Sequence, residues 1–322
     1  MEINTEDIFR VSPENFEDQA LTVFRYQYEN VEVYQAYCKL RGVTNPSQLQ
    51  EIPFLPIQFF KSHKILARNT DYQQLFKSSG TTIGQRSQHF IADIKCYEAS
   101  FFKTFNDQIA DPKEAVILAL LPNYLEQGSS SLVYMVDALI KASDHPHSGF
   151  YLNQLEDIGH TILKAKATVR KVILFGVSFA LLDLAEQKLD LSGVHIIETG
   201  GMKGRRKEIT REELHERLRN GLNVESITSE YGMTELLSQA YLGKDGFFSA
   251  PSWMKVLIRD VNDPLSYLNE GRTGGVNVID LANFYSCSFI ATDDLGLWEN
   301  NKFKILGRFD QSDIRGCNLL VN

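Results

Sequence analysis

Short apolar segments of strand length alternate with helical segments through the middle of the chain. The apolar runs lie at Ala115–Leu120, 171–175, 194–197 and, more weakly, 223–228. Helical segments separate them, including 178–188 and 211–220, and Thr210 and Glu213 form a capping-box pattern at the start of the second. Strands separated by helices pair in parallel and need helices on both faces of the sheet. The sequence therefore predicts an α/β fold with a parallel sheet flanked by helices.

The pattern changes after about residue 245. Four further segments are predicted as strands, at 253–261, 275–279, 286–291 and 297–306. Glycine and asparagine occur in the turns between them, and no long helix intervenes, which is typical of an antiparallel sheet. We therefore expect an α/β core over residues 1–245 and an appended β-rich subdomain over residues 246–322.

Charge and cysteine content narrow the class of protein. The 322-residue chain has a net charge of −8 and no long run of Lys and Arg, which argues against a nucleic-acid partner. No apolar stretch approaches the length of a membrane span, and the acidic N-terminus lacks the apolar core of a signal peptide. The cysteines are far apart, so no zinc site or disulfide framework is expected; they are Cys38, Cys96, Cys287 and Cys317. We expect a cytoplasmic protein with reduced thiols and no membrane insertion.

A segment of small and hydroxyl-bearing residues, SSGTTIG, occupies positions 78–84. Small residues let backbone N–H groups approach a phosphate closely, and hydroxyl groups add further donors. The segment is not a Walker A loop, because that loop's lysine is absent. Taken alone, the segment is better explained as a polar surface turn.

Two other motifs follow predicted strands. ETGGMKG, at 198–204, comes directly after one apolar run, and SEYGMTE, at 229–235, comes after the next. Ligands bind at the carboxyl ends of parallel strands, where paired glycines let a flat ring lie against the backbone. A tyrosine, a threonine and a glutamate together can stack a base, hold a phosphate and bind Mg²⁺. The structural alternatives are an ordinary strand-to-helix loop and a buried tyrosine beside a helix-capping Thr-Glu pair.

A last pair of motifs is rich in Asp and Gly. TDDLG lies at 292–296 and GRFD at 307–310. A carboxylate can accept hydrogen bonds from both hydroxyls of a ribose, and an arginine can add a second contact. The alternative is a pair of β-turns, in which Asp and Gly are common.

In this order, the segments resemble the motifs of adenylate-forming enzymes, the superfamily of acyl-CoA synthetases, firefly luciferase and nonribosomal adenylation domains. SSGTT is similar to the phosphate loop, TGG to the adenine loop, YGMTE to YGxTE, TDDLG to TGDLG, and GRFDQSDIRG to GRxDxxIKxxG. Order and spacing agree from Ser78 to Gly316. IPFLPIQFFK and ETGGMKGRRKE are most similar to the acyl-protein synthetases of bacterial luciferase systems (LuxE-like) and to phenylacetate-CoA ligases. The resemblance implies the fold of the N-terminal domain of adenylate-forming enzymes.

The resemblance also implies ATP and Mg²⁺ as cofactors and assigns roles to individual residues. Tyr231 would flank adenine together with Gly200 and Gly201. The phosphate contacts would be Ser79, Thr81, Thr82 and Thr234, with Gly80 and Gly232 as further cofactor-binding positions. Glu235 would bind Mg²⁺, while Asp294 and Arg308 would hold the ribose. Arg86 and Lys203 are the candidates to stabilise charge on the phosphorus in the transition state.

The sequence departs from the superfamily pattern in two places. Full-length relatives carry a small C-terminal domain that supplies a catalytic lysine, and we expect that domain to be absent here. Gln85-Arg86-Ser87 stands where relatives have Pro-Lys after the phosphate loop. An arginine there is a planar fork of donors, whereas a lysine is a point charge.

The expected function is activation of a carboxylic acid, with fatty acids as the leading class, followed by transfer of the acyl group to a protein or carrier thiol. An acyl carrier protein, a thioesterase or a reductase is the expected partner. By the resemblance, Cys317 is a candidate acyl acceptor, and a small apolar packing residue is the alternative. The alternatives to an enzyme are a non-catalytic nucleotide- or adenylate-binding module and a scaffold that binds no nucleotide.

Overall fold

The computed structural model describes residues 5–78, 85–122, 129–152, 157–200 and 209–309. Within these ranges the α-helices are α1 (Thr5–Ile8), α2 (Phe16–Asn30), α3 (Glu32–Leu40), α4 (Phe59–Ser62), α5 (Ile94–Gln108), α6 (Ser131–Ser143), α7 (Ile158–Lys166), α8 (Ser178–Ala185) and α9 (Arg211–Leu222). The strands are β1 (Leu55–Pro56), β2 (Gln74–Lys77), β3 (Gln88–Ile91), β4 (Ala115–Leu120), β5 (Gly149–Phe150), β6 (Lys171–Val177), β7 (His195–Thr199), β8 (Ile227–Tyr231), β9 (Ala240–Leu242), β10 (Phe248–Ser249), β11 (Met254–Arg259), β12 (Gly274–Asp280), β13 (Phe289–Glu299) and β14 (Lys302–Arg308). None of the described helices has the length and apolar character needed to cross a bilayer.

The chain divides into two compact units. The first unit contains Met1–Gln74, Ser87–Cys96 and Gly246–Asn322, and the second contains Leu75–Arg86 and Tyr97–Asp245. Residues 1–74 therefore group with the C-terminal segment. The domain limits 1–245 and 246–322 stay a prediction, because compactness alone does not show which parts fold independently.

The second unit is built on a sheet in the order β9-β8-β7-β6-β4-β5. All pairs in this sheet are parallel except β8 with β9, which are antiparallel. Helix α6 packs on β4, α7 and α8 pack on β6, and α9 packs on β8. Every residue of β4 is buried, as expected for a parallel strand covered by helices. The predicted α/β fold with a parallel sheet flanked by helices is confirmed.

The ends of α9 fix the position of β8. At its start, the Thr210 Oγ1 atom accepts a hydrogen bond from the Glu213 N–H group at 3.2 Å, which confirms the predicted cap. At its end, Asn223 adopts the left-handed conformation with φ of 52°. The chain therefore leaves the helix later than predicted, and the strand expected at 223–228 begins only at Ile227.

The first unit contains an antiparallel sheet in the order β11-β12-β13-β14-β10, and β1 pairs with β13 in parallel. The segment predicted as one strand over 297–306 is instead the end of β13, a turn and β14. Asn300 and Asn301 form this turn with φ values of 50° and 60°, a conformation that matches the twist of a two-residue hairpin. The TDDLG segment lies inside β13 and not in a turn.

A buried glutamine fixes α2 to the C-terminal part of the first unit. Gln27 Nε2 donates to the carbonyl oxygens of Asn283 and Phe284 at 2.9 and 3.0 Å. Its Oε1 atom accepts from the Ser288 N–H group at 3.0 Å. A buried amide with its hydrogen bonds satisfied stabilises the fold, and this one explains why the N-terminal residues group with a segment so distant in sequence.

Candidate functional site

The second unit presents the predicted glycine and tyrosine positions at one edge of its sheet. Gly200 directly follows β7, and Tyr231 is the last residue of β8. Because Thr199 pairs with Glu230 in the register of these strands, Gly200 and Tyr231 lie beside each other. Tyr231 is buried, whereas Gly200 is exposed. An aromatic side chain next to open backbone is an arrangement suited to a flat base.

A tight turn after Tyr231 carries Thr234 and Glu235. The Leu236 N–H group donates to the Met233 carbonyl oxygen at 3.1 Å and closes this turn. Thr234 is half-buried, and Glu235 is buried with 6% of its surface exposed. The fold therefore brings five of the predicted positions together, including Gly232, since this turn continues directly from the strand end beside Gly200.

The carboxylate of Glu235 suits a magnesium ion only in combination with other ligands. Mg²⁺ in nucleotide sites is held by one or two carboxylates, water and phosphate oxygens. Among the described residues, no group of three or more His, Cys, Asp and Glu side chains could hold a metal ion by itself. The proposed Mg²⁺ contact of Glu235 would therefore require phosphate oxygens as further ligands, and it stays a prediction.

Gly232 lies under the side chains of two neighbours. A methyl group at this position would collide with the Glu230 carboxyl group and would lie 3.4 Å from Gln239 Cγ. The absence of a side chain therefore allows Glu230 to fold back over the strand end. This steric reason for the glycine of YGMTE concerns packing, and the proposed cofactor contact of Gly232 stays a prediction.

A network of polar side chains ties β7 and β8 to the helices on one face of the sheet. The Glu198 carboxylate accepts hydrogen bonds from the hydroxyl groups of Ser178 and Ser229, the second at 2.9 Å. His215 Nε2 lies 2.9 Å from the same Ser229 Oγ atom. Burial, reinforced by Arg211 and Arg219, lowers the pKa of His215 to about 4, so the imidazole is neutral at pH 7. The network holds the strand ends that carry Gly200 and Tyr231.

These network residues are absent from the positions predicted to be functional. Glu198 belongs to the ETGG motif and Ser229 to SEYGMTE, but neither has a predicted role. A signal was present, because an acidic residue near the end of an apolar, parallel strand must find buried partners. The partners themselves, on α8 and α9, could not be chosen without the fold.

The first unit contains the other predicted pair, Asp294 and Arg308. These residues are opposite each other in the register of β13 and β14, and Arg308 Nε lies 3.2 Å from Asp294 Oδ1. The Asp294 side chain is 7% exposed, whereas the Arg308 side chain is 79% exposed. An ion pair with one exposed partner contributes little to stability, so its geometry suits recognition better than support of the fold.

Asp293 and Asp294 point to opposite faces of β13. Asp293 is exposed and accepts a hydrogen bond from Gln58 Nε2 at 2.6 Å, while Asp294 is buried. This alternation is the ordinary geometry of a strand. It assigns the inward carboxylate of the TDDLG motif to Asp294, the residue chosen from the sequence.

Arg259, which sequence reasoning missed, supports this part of β13. Its guanidinium donates to the carbonyl oxygens of Val276 and Thr292 at 2.8 and 2.6 Å and to Asn277 Oδ1 at 2.7 Å. The Phe309 ring lies 5.6 Å from the guanidinium carbon. These acceptors come from distant positions in the sequence, so no local pattern could have identified the residue.

Several predicted positions cannot be placed. Ser79, Gly80, Thr81, Thr82, Gly201, Lys203 and Cys317 lie outside the described residues. Arg86 is described and exposed. The proposed contacts of all these residues with phosphates, adenine or an acyl group therefore stay predictions.

Comparison with known proteins identifies the family. The family described as acyl-protein synthetase, LuxE, matches residues 130–322, more than half of the chain. The chain belongs to this family. The resemblance to LuxE-like, adenylate-forming proteins that the motifs indicated is thus confirmed, and the match includes both the YGMTE turn and the TDDLG strand. Comparison with curated protein sequences finds no significant match.

Solved structures show the same fold at low sequence identity. A 2-hydroxyisobutyryl-CoA ligase in complex with 2-HIB-AMP and CoA aligns with a TM-score of 0.70 and 14% identity, covering 95% of this chain and 71% of that one. ATP-bound MatB from Rhodopseudomonas palustris aligns with a TM-score of 0.56 and 18% identity, covering 76% of this chain and 49% of that one. The chain thus matches about half the length of MatB. At these identities the likeness concerns the fold alone.

Proposed function

We propose that the chain binds ATP and converts a carboxylic acid to an acyl-adenylate, which then delivers its acyl group to a thiol. The observation that carries this proposal is the placement of Gly200, Tyr231, Thr234 and Glu235 at one edge of a parallel sheet. Family membership supports the same chemistry. Fatty acids are the proposed class of substrate, as the resemblance to LuxE-like synthetases implies.

The first step makes the acid reactive. A carboxylate oxygen attacks the α-phosphorus of ATP, the bond to the pyrophosphate oxygen breaks, and acyl-AMP and pyrophosphate form. Tyr231 and Gly200 would hold the base, and the Thr234 hydroxyl would donate to a phosphate oxygen. Glu235 would hold Mg²⁺, whose positive charge, when bound, would offset the negative charge that develops in this step.

The second step transfers the acyl group. A thiolate attacks the acyl carbon, the bond to the AMP oxygen breaks, and a thioester and AMP form. The proposed acceptor is a thiol on a carrier protein or on Cys317, and the proposed partner is an acyl carrier protein, a thioesterase or a reductase.

The described cysteines are poor candidates for this thiol. Cys38, Cys96 and Cys287 are all buried. Burial raises the pKa of Cys38 to about 12 and also raises the pKa of Cys96 and of Cys287. Because the thiolate is the nucleophile, these residues are disfavoured as acyl acceptors. An acyl group found on the protein should therefore be on Cys317.

The test of adenylation is ATP–pyrophosphate exchange that depends on an added carboxylic acid, surveyed with fatty and aryl acids. Glu235→Gln should reduce exchange by about tenfold or more, because it removes a charged ligand while preserving shape. Glu225→Gln, on the exposed loop before β8, is the matched control. Nucleotide binding without exchange for any acid would favour the non-catalytic binding module.

The test of transfer uses a radiolabelled acid and ATP. Hydroxylamine-sensitive label on the chain should disappear in Cys317→Ser and persist in Cys96→Ala. Label that persists in Cys317→Ser would exclude Cys317 as the acceptor. Acylation of an added carrier protein by a chain that never becomes labelled itself would place the acceptor on the partner.

A further inference from the structure

A row of three polar side chains crosses the sheet of the second unit beside the proposed nucleotide site. Thr199 on β7 pairs with Glu230 on β8, and Glu230 pairs with Tyr241 on β9. Residues opposite each other in a sheet share a face and have Cβ atoms only about 5 Å apart. Thr199, Glu230 and Tyr241 therefore form one continuous line, which we call the polar row.

Glu230 is half-buried, the residues that flank it in the polar row are buried, and much of the hydrogen-bonding capacity of the row is unused. Thr199 is 1% exposed, Tyr241 is 3% exposed, and nearby Gln239 is 4% exposed. Among the described parts of the chain, Thr199 Oγ1, the Tyr241 hydroxyl and Gln239 Oε1 have no hydrogen-bonding partner. Burying an unpaired polar atom opposes folding, so these atoms call for polar partners that the described residues do not supply.

Glu230 adds a further donor at the centre of the row. Burial, reinforced by Glu198 on β7, raises the pKa of Glu230 to about 8. At pH 7 its side chain is therefore a neutral carboxylic acid, with one O–H donor as well as acceptor capacity. Its carboxyl group and the Gln239 side chain both lie close to Gly232, so these two side chains approach each other.

One tyrosine on the same face provides a contrast. Tyr97, on α5, lies close enough to Tyr241 that burial, Glu230 and Tyr97 together raise the pKa of Tyr241. Unlike Tyr241, Tyr97 is satisfied, because its hydroxyl donates to the Ser131 carbonyl oxygen at 3.0 Å. The Tyr241 hydroxyl thus differs from that of Tyr97, an ordinary buried tyrosine, and Tyr97 serves as its control.

The location of the row connects it to the acid. Thr199 directly precedes Gly200, and Glu230 directly precedes Tyr231, both proposed to hold the nucleotide. An acid whose carboxylate meets the α-phosphate of that nucleotide must place its remaining atoms next to these strand ends. We propose that Thr199, Glu230, Tyr241 and Gln239 bind an uncharged hydrogen-bonding group, a hydroxyl or an amide, on the carboxylic acid substrate. This inference rests on the proposed adenylation.

The chemistry of the row excludes a purely alkyl occupant at this position. Gln239 Oε1 can only accept a hydrogen bond, whereas the hydroxyl groups and the neutral Glu230 carboxyl can donate and accept. A substrate hydroxyl or amide can both donate and accept, so it can pair with atoms of either kind in the row. A methylene group would leave them all unpaired, and sites built to hydrogen-bond a substrate reject analogues that lack the group.

The test is acid-dependent ATP–pyrophosphate exchange with matched pairs of acids. Hexanoate is compared with its 2-, 3- and 6-hydroxy derivatives, and benzoate with the three hydroxybenzoates and with 4-carbamoylbenzoate. At least one substituted acid should exceed its parent in kcat/KM by about tenfold or more. Tyr241→Phe and Thr199→Val should each reduce that ratio, whereas Tyr97→Phe should retain it.

Thermal unfolding separates recognition from structural support. Tyr241→Phe and Thr199→Val remove hydroxyl groups that have no described protein partner, so neither should lower Tm by more than a few degrees. If these hydroxyl groups had a purely structural role, the variants would instead lower Tm and leave the ratio of kcat/KM between substituted and parent acids unchanged. Exchange that favours the parent acids would overturn this inference and leave adenylation intact. Absence of exchange with every acid would overturn the proposed function, and this inference with it.

Discussion

The guanidinium of Arg259 donates a 2.6 Å hydrogen bond to the carbonyl oxygen of Thr292, two residues before Asp294. In the same segment, the Asp294 N–H group donates to Thr292 Oγ1 at 3.1 Å, and Thr292 Oγ1 donates to the Val276 carbonyl oxygen at 2.8 Å. Arg259 also donates to that Val276 carbonyl. The path of β13 at Asp294 therefore depends on Arg259, although Arg259 belongs to none of the recognised motifs.

Replacing Arg259 by lysine should destabilise the chain. A lysine keeps the charge but cannot reach three acceptors in different directions, so buried acceptors lose their donor. We expect the free energy of unfolding to fall by about 1–3 kcal/mol in urea denaturation. Arg272→Lys, at an exposed position in the same unit, is the control and should change little. Equal stability of the Arg259 variant and the control would show that the three hydrogen bonds do not support β13.

Adjacent carboxylates on β13 allow a matched test of ribose recognition. Asp294→Asn should weaken ATP binding by about tenfold or more in calorimetry, because it replaces a charged acceptor by a neutral amide. Asp293→Asn changes the neighbouring carboxylate, which faces the other way and bonds Gln58, and should bind ATP normally. If both variants bind ATP as the parent does, Asp294 has no role in holding the ribose.

Gly200 offers a test of nucleotide binding that spares the fold. A Cβ atom built at this position meets no atom within 4 Å, so Gly200→Ala should unfold at the same temperature as the parent. A methyl group there would nevertheless obstruct a base lying against the backbone, and ATP binding should weaken. Gly296→Ala should instead lower Tm, because its methyl group would collide with the Lys304 carbonyl oxygen and would lie 2.9 Å from Val276 Cγ2. A lower Tm of Gly200→Ala than of the parent would show that the added methyl group does meet other atoms at this position.

The sequence allowed the strand ends of the second unit to be predicted, because apolar runs there stop at residues with special chemistry. Gly200 and Tyr231 are predicted as functional positions for that reason, and the pairing of β7 with β8 brings them together. The hairpin at Asn300 and Asn301 was missed because the two asparagines lie within an otherwise strand-like segment. Their positive φ values could not be read from composition alone.

Residues whose roles depend on distant partners could not be found from the sequence. Arg259 finds its acceptors on β12 and β13, and its own strand gives no indication of them. Glu230 was visible in SEYGMTE, but its altered pKa arises from burial and from Glu198 on the neighbouring strand. Pairing across the sheet, and not local pattern, creates the environment of both residues.

Glu230 should make the stability of the chain depend on pH. A glutamate in the unfolded chain has a pKa near 4.5, whereas burial and the carboxylate of Glu198 raise the folded-state pKa to about 8; Tyr97 on α5 and Tyr241 on β9 are the other titratable groups around it. Between these pH values the folded state keeps a proton that the unfolded state has lost. The contribution of Glu230 to the free energy of unfolding is therefore fully present below about pH 4.5 and is lost as pH rises through about 8, with a slope of at most about 1.4 kcal/mol per pH unit.

Glu230→Gln cannot titrate, so the stability of this variant relative to the parent should increase steadily between about pH 5 and 8 in urea denaturation. Other titrating groups, including His215, are common to both chains and cancel in the difference. A difference that is constant across this range would show that Glu230 is ionised in the folded chain, and the neutral donor assigned to the polar row would be lost.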